Sequence, residues 1–472
     1  MLKKTKIVAT LAHTNCSPEY IKTLYNEGMN VVRLNTAHQT PDDALIIIND
    51  VRQVSDKIAL LLDTKGPEIR TVKSDNIIKV YEGEIINIEG NPDKESTQEC
   101  IYVSYKNFAK DVQVGNKILI DDGDIAFDII EKNNNTVKCK ILNSGIVKGR
   151  KSINVPNVHF NLPSVSEKDR EFIRFAIEQD LEFIAHSFVR NKNDVKDIQE
   201  ILDKSNSKIK IIAKIENQQG VDNIDEILEN VYGIMVARGD LAIEIPYEKI
   251  PGVQRMLIKK CINNRKPVII ATQMLHSMIE NPRPTRAEVN DVASAIYSQA
   301  DAIMLSGETA MGKYPVESVR TMTKIALEVE SSKDHFNNIP DLILNTKASA
   351  YLSKAAVEAS IHLDAKAIIA DSMSGRTIRS LSAYRGLRSI YAQCYSKRTV
   401  LEMALSYGVF ANYMKPKDTS HEFLREALTK LLDKNTFKEN DTIVVIAGNF
   451  GRSFGASYIE VGTINNLIGH LK

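Results

Sequence analysis

Short apolar runs recur along the chain, and each breaks off in a polar or charged cluster. They occupy residues 7–11, 30–35, 58–63, 183–188, 210–216, 233–240, 267–272 and 301–306, and are rich in Val, Ile, Leu and Met. Runs this short, continuously apolar rather than alternating, predict strands covered on both faces. Segments such as 18–27, 167–179 and 193–202 lie between them and read as helices. Thr285 and Glu288 have the spacing of a capping box that opens a further helix, with Pro282 and Pro284 keeping the preceding loop non-helical. Eight strands alternating with helices predict an α/β fold, a (β/α)8 TIM barrel.

One interval is too long for a crossover helix. Between the third and fourth runs the pattern changes: 77–88 and 117–130 alternate or carry β-branched residues, with turn signals at Gly90-Asn91-Pro92, Asp121-Asp122-Gly123 and Asn133-Asn134-Asn135. This predicts a small β-barrel-like domain inserted after strand three, at residues 66–156, into a barrel formed by 1–65 and 157–335. A looser stretch around Asn337-Asn338-Ile339-Pro340 follows. Beyond it, apolar runs at 367–370, 389–393 and 442–447 alternate with helical patterns at 350–363, 376–384, 397–405 and 420–433. Residues 336–472 therefore read as a C-terminal α/β domain with a largely parallel sheet. The total of 472 residues suits about three domains at roughly 150 residues each.

Charge changes the picture by exclusion. The chain has 61 basic and 60 acidic residues, so the molecule as a whole has no pull toward nucleic acid or an anionic membrane. Any anion must be met by locally grouped charge. The five cysteines are scattered without a Cys-x-x-Cys pair, which argues against a disulfide framework or a structural zinc site. The N-terminus carries no signal-type apolar stretch and no run is long enough to cross a bilayer, so the expected location is cytoplasmic.

Barrel chemistry sits where the strands end. The ends here are Arg33-Leu34-Asn35-Thr36-Ala37-His38, Asp63-Thr64-Lys65-Gly66-Pro67-Glu68-Ile69-Arg70, Lys214-Ile215-Glu216-Asn217, Arg238-Gly239-Asp240, Thr272-Gln273 and Ser306-Gly307-Glu308-Thr309. Lys214 and Glu216, two apart, point to one side of a strand. They read either as a buried ion pair or as an anion-holding lysine beside a carboxylate for a divalent cation. Asp240 adds a second hard oxygen, and two carboxylates with substrate oxygens and water are how Mg²⁺ is usually held. Arg33, Lys65, Arg70 and Lys214 converge on the same mouth, more cations than two carboxylates need. A polyanion bound through Mg²⁺ accounts for them. No P-loop, dinucleotide fingerprint or His-Glu-x-x-His is present. His38 is the one histidine in a strand-end cluster, and a lone histidine also reads as structural.

At these residues the chain resembles the pyruvate kinases, in order and over essentially its whole length. The matching segments include Arg33-Leu34-Asn35, residues 62–71, Leu162-Pro163, Ser166 to Asp169, 212–217, 233–241, 271–275, 281–288 and 304–310. The resemblance implies phosphoryl transfer from phosphoenolpyruvate to ADP, giving pyruvate and ATP. It implies Mg²⁺ (or Mn²⁺) on Glu216 and Asp240, Lys214 at the transferred phosphoryl group and the enolate, and Arg33 on phosphate. Gly239, Asp240 and Thr272 would receive the substrate carboxylate. Thr272, with Ser306 and Glu308, would support a water that protonates the enolate. Asn35, His38, Arg70 and Lys151 would contact the nucleotide, with the inserted domain acting as a lid. A homotetramer is a further implication.

The chain departs from the family pattern at several points. Ala12-His13-Thr14-Asn15 stands where Gly-Pro-Ala-Ser is usual. Of a K⁺ set, Asn35, Asp63 and Thr64 are present, but Ala37 replaces the usual serine; Glu68 is the residue type of K⁺-dependent members. The expectation is K⁺ activation through a modified site. In the C-terminal part, Ser372, Ser374, Gly375, Arg376 and Thr377 combine hydroxyls, a glycine and a helix start, an arrangement that takes anions, though it also reads as a plain cap and turn. The resemblance implies a phosphorylated effector there, with a second half near Gly448 to Gly455 that does not spell a sugar-bisphosphate site. Two other readings compete. A Mg²⁺-dependent lyase or aldolase acting on enolates gives no reason for the insert, Arg70 and Lys151. A non-catalytic sensor would lose Lys214, Glu216, Asp240 or Thr272.

Overall fold

The computed structural model describes residues 2–75, 77–332, 342, 348–433, 436–448, 450 and 455–469. The eight predicted strands are Lys6–Thr10, Val31–Asn35, Ala59–Asp63, Phe183–His186, Lys210–Ile215, Gly233–Ala237, Val268–Ala271 and Ala302–Leu305. Each pairs in parallel with the next and the last closes on the first, with Lys6 opposite Ala302. Their two-sided apolarity has a direct cause. Val8 packs in one cluster with Leu61, Ile212, Met235 and Met304 inside the barrel, while its neighbours Ile7 and Ala9 join the layer under the surrounding helices. Leu401 and Leu405, from the C-terminal part of the chain, belong to the inner cluster and close one end of the barrel.

Two strands end more than one residue before the sequence pattern predicts. The fourth stops at His186 because Phe188 adopts a left-handed conformation, φ 56°, that no strand accommodates. The sixth stops at Ala237, and Arg238–Glu244 forms a short helix instead. Gly239 and Asp240 have low strand preference, and the start of a helix leaves their N–H groups free of the ladder. The capping box at Thr285 is present, and Glu288 also accepts from Ser277 N and Oγ, so one carboxylate joins two segments.

The insert after strand three is a seven-stranded sheet, ordered Ile69–Arg70, Ser152–Asn154, Lys117–Ile120, Ile125–Lys132, Thr136–Ile141, Ile85–Gly90 and Cys100–Val103. A bridge between Thr71 and Val103 brings its two edges together, giving the barrel-like closure expected. Its core is its own, built on Phe108, Phe127, Ile88 and Ile101. Asp169 fixes where the insert leaves the barrel: Oδ2 caps the helix Glu167–Glu178 through Ser166, and Oδ1 accepts the Lys65 N–H at 2.9 Å.

The C-terminal sheet runs Val409–Tyr413, Ser389–Cys394, Ala367–Ser372, Thr442–Ala447 and Tyr458–Thr463. The sequence pattern predicts neither edge strand. Both are half-exposed along much of their length and so lack a continuous apolar run. The last is antiparallel to its neighbour, the rest parallel. The stretch at 337–340 and most of the 448–455 segment lie outside the described residues. Among the described residues no helix is long and apolar enough to cross a membrane.

Candidate active site

Asp63, at the end of the third strand and 1% exposed, is the hub of the site. Its Oδ2 meets Arg33 Nε at 2.6 Å, and its Oδ1 lies 3.1 Å from Lys214 Nζ. Lys214 reaches Glu216 Oε1 at 3.0 Å and donates to Ser187 Oγ at 2.8 Å. The other Glu216 oxygen accepts from Phe188 N at 2.7 Å. Thr10 Oγ1 accepts from Arg33 at 3.0 Å. The ends of strands one, two, three and five and the turn after strand four thus converge on one buried network. Gly66, at φ 73°, lies so close to that turn that a Cβ would come within 2.8 Å of Ser187 and Phe188, so glycine is required there.

The electrostatics follow from this packing. Burial opposes the charge on Lys214, but Asp63 and Glu216 more than offset it, and its pKa lies above the usual lysine value. Burial likewise works against the Asp63 carboxylate; Lys214 and Arg33 outweigh it and hold Asp63 below its usual range. Burial raises Glu216 and Asp240, and Lys214 relieves both only in part. The two carboxyls are close enough to act on each other's charge, Asp240 adding to the rise at Glu216. Adjacent and undercompensated, Glu216 buried and Asp240 half-buried, they form a hard-oxygen pair suited to a divalent cation. No group of three or more His, Cys, Asp or Glu side chains is placed to hold a metal among the described residues, so ligands beyond the pair would come from substrate and water.

The seventh strand hands over to Thr272 and Gln273, both left-handed at φ 66° and 54°. Thr272 Oγ1 accepts from Gly239 N at 2.8 Å and donates to Ala271 O at 2.7 Å. Arg238 holds this turn, donating to Thr272 O at 2.7 Å while pairing with Asp291 at 2.7 Å. Glu308 is 2% exposed and accepts from Leu275 N at 3.1 Å and from Ser306 N at 2.7 Å. Its carboxylate is engaged with the backbone around the site.

The remaining candidates are not drawn into the network. Asn35 Oδ1 accepts from Ala37 N, and the His38 N–H donates to Asn35 O. Arg70 pairs with Glu68 and donates to Arg150 O; Lys151 pairs with Asp121 at 2.8 Å. Arg70 and Lys151 lie side by side in the insert, on paired segments, since Ser152 is opposite Arg70. Thr64 O accepts the Ser187 hydroxyl at 2.6 Å. In the C-terminal part, Ser372 ends a strand and accepts from Gly375 N at 2.9 Å, Gly375 is left-handed, and Arg376 opens the helix Arg376–Ala383 with Thr377 buried inside it. Ser374 O accepts from Arg379 at 3.3 Å.

Sequence reasoning missed Ser187, Arg238, Thr10 and Asp169. The strand-end rule, applied to strand four as to the others, would have picked out Ser187. Arg238 stands in a strand-end cluster and Asp169 closes the segment that begins at Ser166, but the sequence assigns neither a partner; Thr10 shows no signal without the fold.

An eight-stranded barrel with a lysine, an arginine and three carboxylates at its strand ends, an inserted β domain and a C-terminal α/β domain defines a multidomain (β/α)8-barrel protein with a charged site at the strand ends. A family model described as "Pyruvate kinase, barrel domain" matches residues 2–319, and one described as "Pyruvate kinase, alpha/beta domain" matches 351–461. The chain is 45% identical over 471 residues to the pyruvate kinase of Borreliella burgdorferi, covering 99% of this chain and 98% of that one. It is 43% identical to that of Staphylococcus aureus strain MRSA252, covering all of this chain and 80% of the relative. A crystal structure of a pyruvate kinase from Cryptosporidium parvum superposes with TM-score 0.91 at 33% identity, over 98% of this chain and 96% of that one. The chain belongs to the pyruvate kinase family.

Proposed function

We propose that the protein transfers the phosphoryl group of phosphoenolpyruvate to ADP with Mg²⁺, giving pyruvate and ATP in the last step of glycolysis. The observation that carries this is the fully charged Lys214, held between Asp63 and Glu216 beside Arg33. A loose phosphoryl-transfer transition state asks mainly for positioning and fixed positive charge. Lys214 supplies that charge to the moving group and to the enolate oxygen left behind, and Arg33 binds phosphate.

Glu216 and Asp240 hold Mg²⁺, which when bound supplies further positive charge to the phosphoryl and enolate oxygens. The substrate carboxylate takes the Gly239 and Asp240 N–H groups and the Thr272 hydroxyl. The Gly239 N–H now donates to Thr272 Oγ1 and the Thr272 hydroxyl to Ala271 O, so both exchange these partners for the carboxylate when substrate binds. Protonation of the enolate carbon is assigned to a water on Thr272, with Ser306 beside it and Glu308 fixing the loop. Asn35, His38, Arg70 and Lys151 serve the nucleotide, the last two carried on the insert, which closes as a lid and excludes water. The same reading makes the protein a cytoplasmic homotetramer, with a phosphorylated effector at residues 372–377.

The K⁺ set fits incompletely. Ala37 offers no side-chain oxygen, Asn35 Oδ1 and Thr64 O are engaged within the protein, and both Asp63 oxygens face cations. No step is therefore derived through K⁺. The test of the proposed reaction is a coupled assay for pyruvate from phosphoenolpyruvate, ADP and Mg²⁺, run with and without K⁺. Turnover in either condition supports it, and none in both overturns it.

A further inference from the structure

The insert is tied to the barrel by two segments, the exit after Asp63 and the return through residues 155–166 to the helix Glu167–Glu178. Both are held at, or just after, the end of strand four. On the exit, Thr64 N donates to Ala185 O at 3.0 Å, and Thr64 Oγ1 accepts from Ser187 N at 3.1 Å. On the return, alternate carbonyls are received in turn. Arg190 donates to Phe160 O and Leu162 O at 3.2 and 3.1 Å, and His186 Nε2 meets Ser164 O at 3.1 Å. His186 and Ser187 adjoin in the chain and divide the work: Ser187 touches Lys214 and Asp63 in the reaction centre, and His186 touches the hinge.

His186 is 1% exposed and has no part in the proposed reaction. A carbonyl only accepts, so Nε2 carries the proton and Nδ1 is left as the acceptor. Nδ1 is buried and has no hydrogen-bond partner among the described residues. Three carboxylates act on the ring: Asp169 from the helix Glu167–Glu178, and Asp194 and Asp197 from the helix Lys192–Lys204. Strand five sets the uncharged Ala213 opposite it. Each carboxylate is engaged. Asp194 accepts from Arg190, Asp169 from Lys65 N and the Ser166 hydroxyl, and Asp197 from the Ser164 hydroxyl. Burial holds the ring below the usual histidine pKa, against the pull of the Ser164 carbonyl and the three acids. The hinge thus packs around a neutral ring. A proton on Nδ1 has to take its acceptor from a carboxylate already in use, and Asp169 and Asp197 are the ones that secure the hinge.

We propose that His186 is a positioning residue for the insert, a latch on its hinge that a proton releases: neutral, it fixes the return segment through Ser164 O, and protonated it competes for the carboxylates that hold the hinge together. The role rests on the reading above that the insert closes as a lid. Once the hinge opens, the ring regains its ordinary value of about 6.5. The closed hinge therefore has its full stability above about pH 6.5 and loses it as pH falls. Acid opens the hinge.

The experiment is hydrogen–deuterium exchange of the full-length protein without substrates, at about pH 8 and about pH 5, corrected for intrinsic exchange. The probes are the amides of Lys65 and Ser166, both held by Asp169, with the barrel strand Gly233–Ala237 as reference. In the parent, hinge protection relative to the reference should fall by about fivefold or more in acid. His186→Gln offers Ser164 O a donor but cannot titrate, and should keep parent-like protection at both values. Unchanged hinge protection in the parent, or the same acid loss in a folded His186→Gln, overturns the proposal. Should His186→Gln fail to fold, His186→Asn, also a donor that does not titrate, is read in the same way. In the pyruvate assay, kcat/KM should fall about fivefold further in the parent than in His186→Gln between the same two values, and identical profiles overturn the positioning role. Exchange is read without substrate, so the two readings separate: acid-sensitive hinge protection in a protein with no turnover would keep the latch and remove the reaction.

Discussion

Lys214 Nζ stands 3.1 Å from Asp63 Oδ1, joining the ends of the fifth and third barrel strands across the inside of the site. The contact holds the ammonium charged and fixes its direction, since Glu216 restrains it from the other side at 3.0 Å. Replacing it by an isosteric apolar chain removes fixed charge from the place where phosphoryl and enolate charge develop. Lys214→Met should lower kcat in the pyruvate assay by roughly 10²–10³-fold or more, with an unchanged circular dichroism spectrum. Turnover within tenfold of the parent would remove Lys214 from the mechanism.

Asp63 makes a separate prediction about stability. Its pKa in the fold lies below the unfolded value of 3.8, because Lys214 and Arg33 overcome the cost of burial. A depressed carboxylate contributes stability that is fully present above the unfolded value and is lost as pH falls toward the folded one. Asp63→Asn leaves Arg33 and Lys214 short of a counter-charge and should cost about 3–5 kcal/mol. The gap between parent and variant, read from urea midpoints, should stay constant from about pH 5 to 8 and narrow only below about pH 4. A gap that already closes near pH 6 would show that Asp63 is not the ionised partner described.

These residues were legible because a charge ending a buried apolar run is conspicuous: the run predicts burial, and a buried charge needs a partner. Arg33, Asp63, Lys214 and Glu216 all announced themselves in that way. Ser187 did not, because at the end of the fourth run it offers an uncharged hydroxyl where the other ends offer charges, although it touches Lys214, Asp63 and Thr64. The role of Arg238 depends on the left-handed turn at Thr272, which spacing does not encode. The barrel was readable because its strands are apolar on both faces. Tyr458–Thr463 escaped because a half-covered edge strand keeps polar residues on both faces.

Asp301 joins the barrel to the C-terminal sheet and its helices. It sits just before the eighth strand, and its two oxygens meet Arg385 Nη1 and Nη2 at 2.9 and 2.6 Å, with both residues buried. It also accepts from Tyr407 N and Val268 N. Arg385→Met should destabilise the protein by about 3–5 kcal/mol, because Asp301 keeps its burial and loses its counter-charge. The double variant Asp301→Asn with Arg385→Met should recover part of that loss. Thermal melts of the three forms check this, and a double variant as weak as the sum of the singles would show that the pair is not coupled.

Ala37 offers the sharpest test of how the K⁺ set has been altered. Its N–H donates to Asn35 Oδ1, so it adjoins one oxygen of the expected set, and its own side chain carries no oxygen. Ala37→Ser adds a hydroxyl there without touching Arg33, Lys214 or the carboxylate pair. If that oxygen contributes about 1 kcal/mol to ion binding, the K⁺ concentration for half-maximal activation should fall by roughly fivefold. Dependence on phosphoenolpyruvate at saturating K⁺ should be unchanged, because the substrate groups are untouched. Titration of activity with K⁺ in buffers free of Na⁺ reads both quantities. An identical K⁺ response in the serine variant would mean that position 37 does not face the ion. The residues read as a modified K⁺ set would then serve to hold Asp63 and the turn at Ser187 in place.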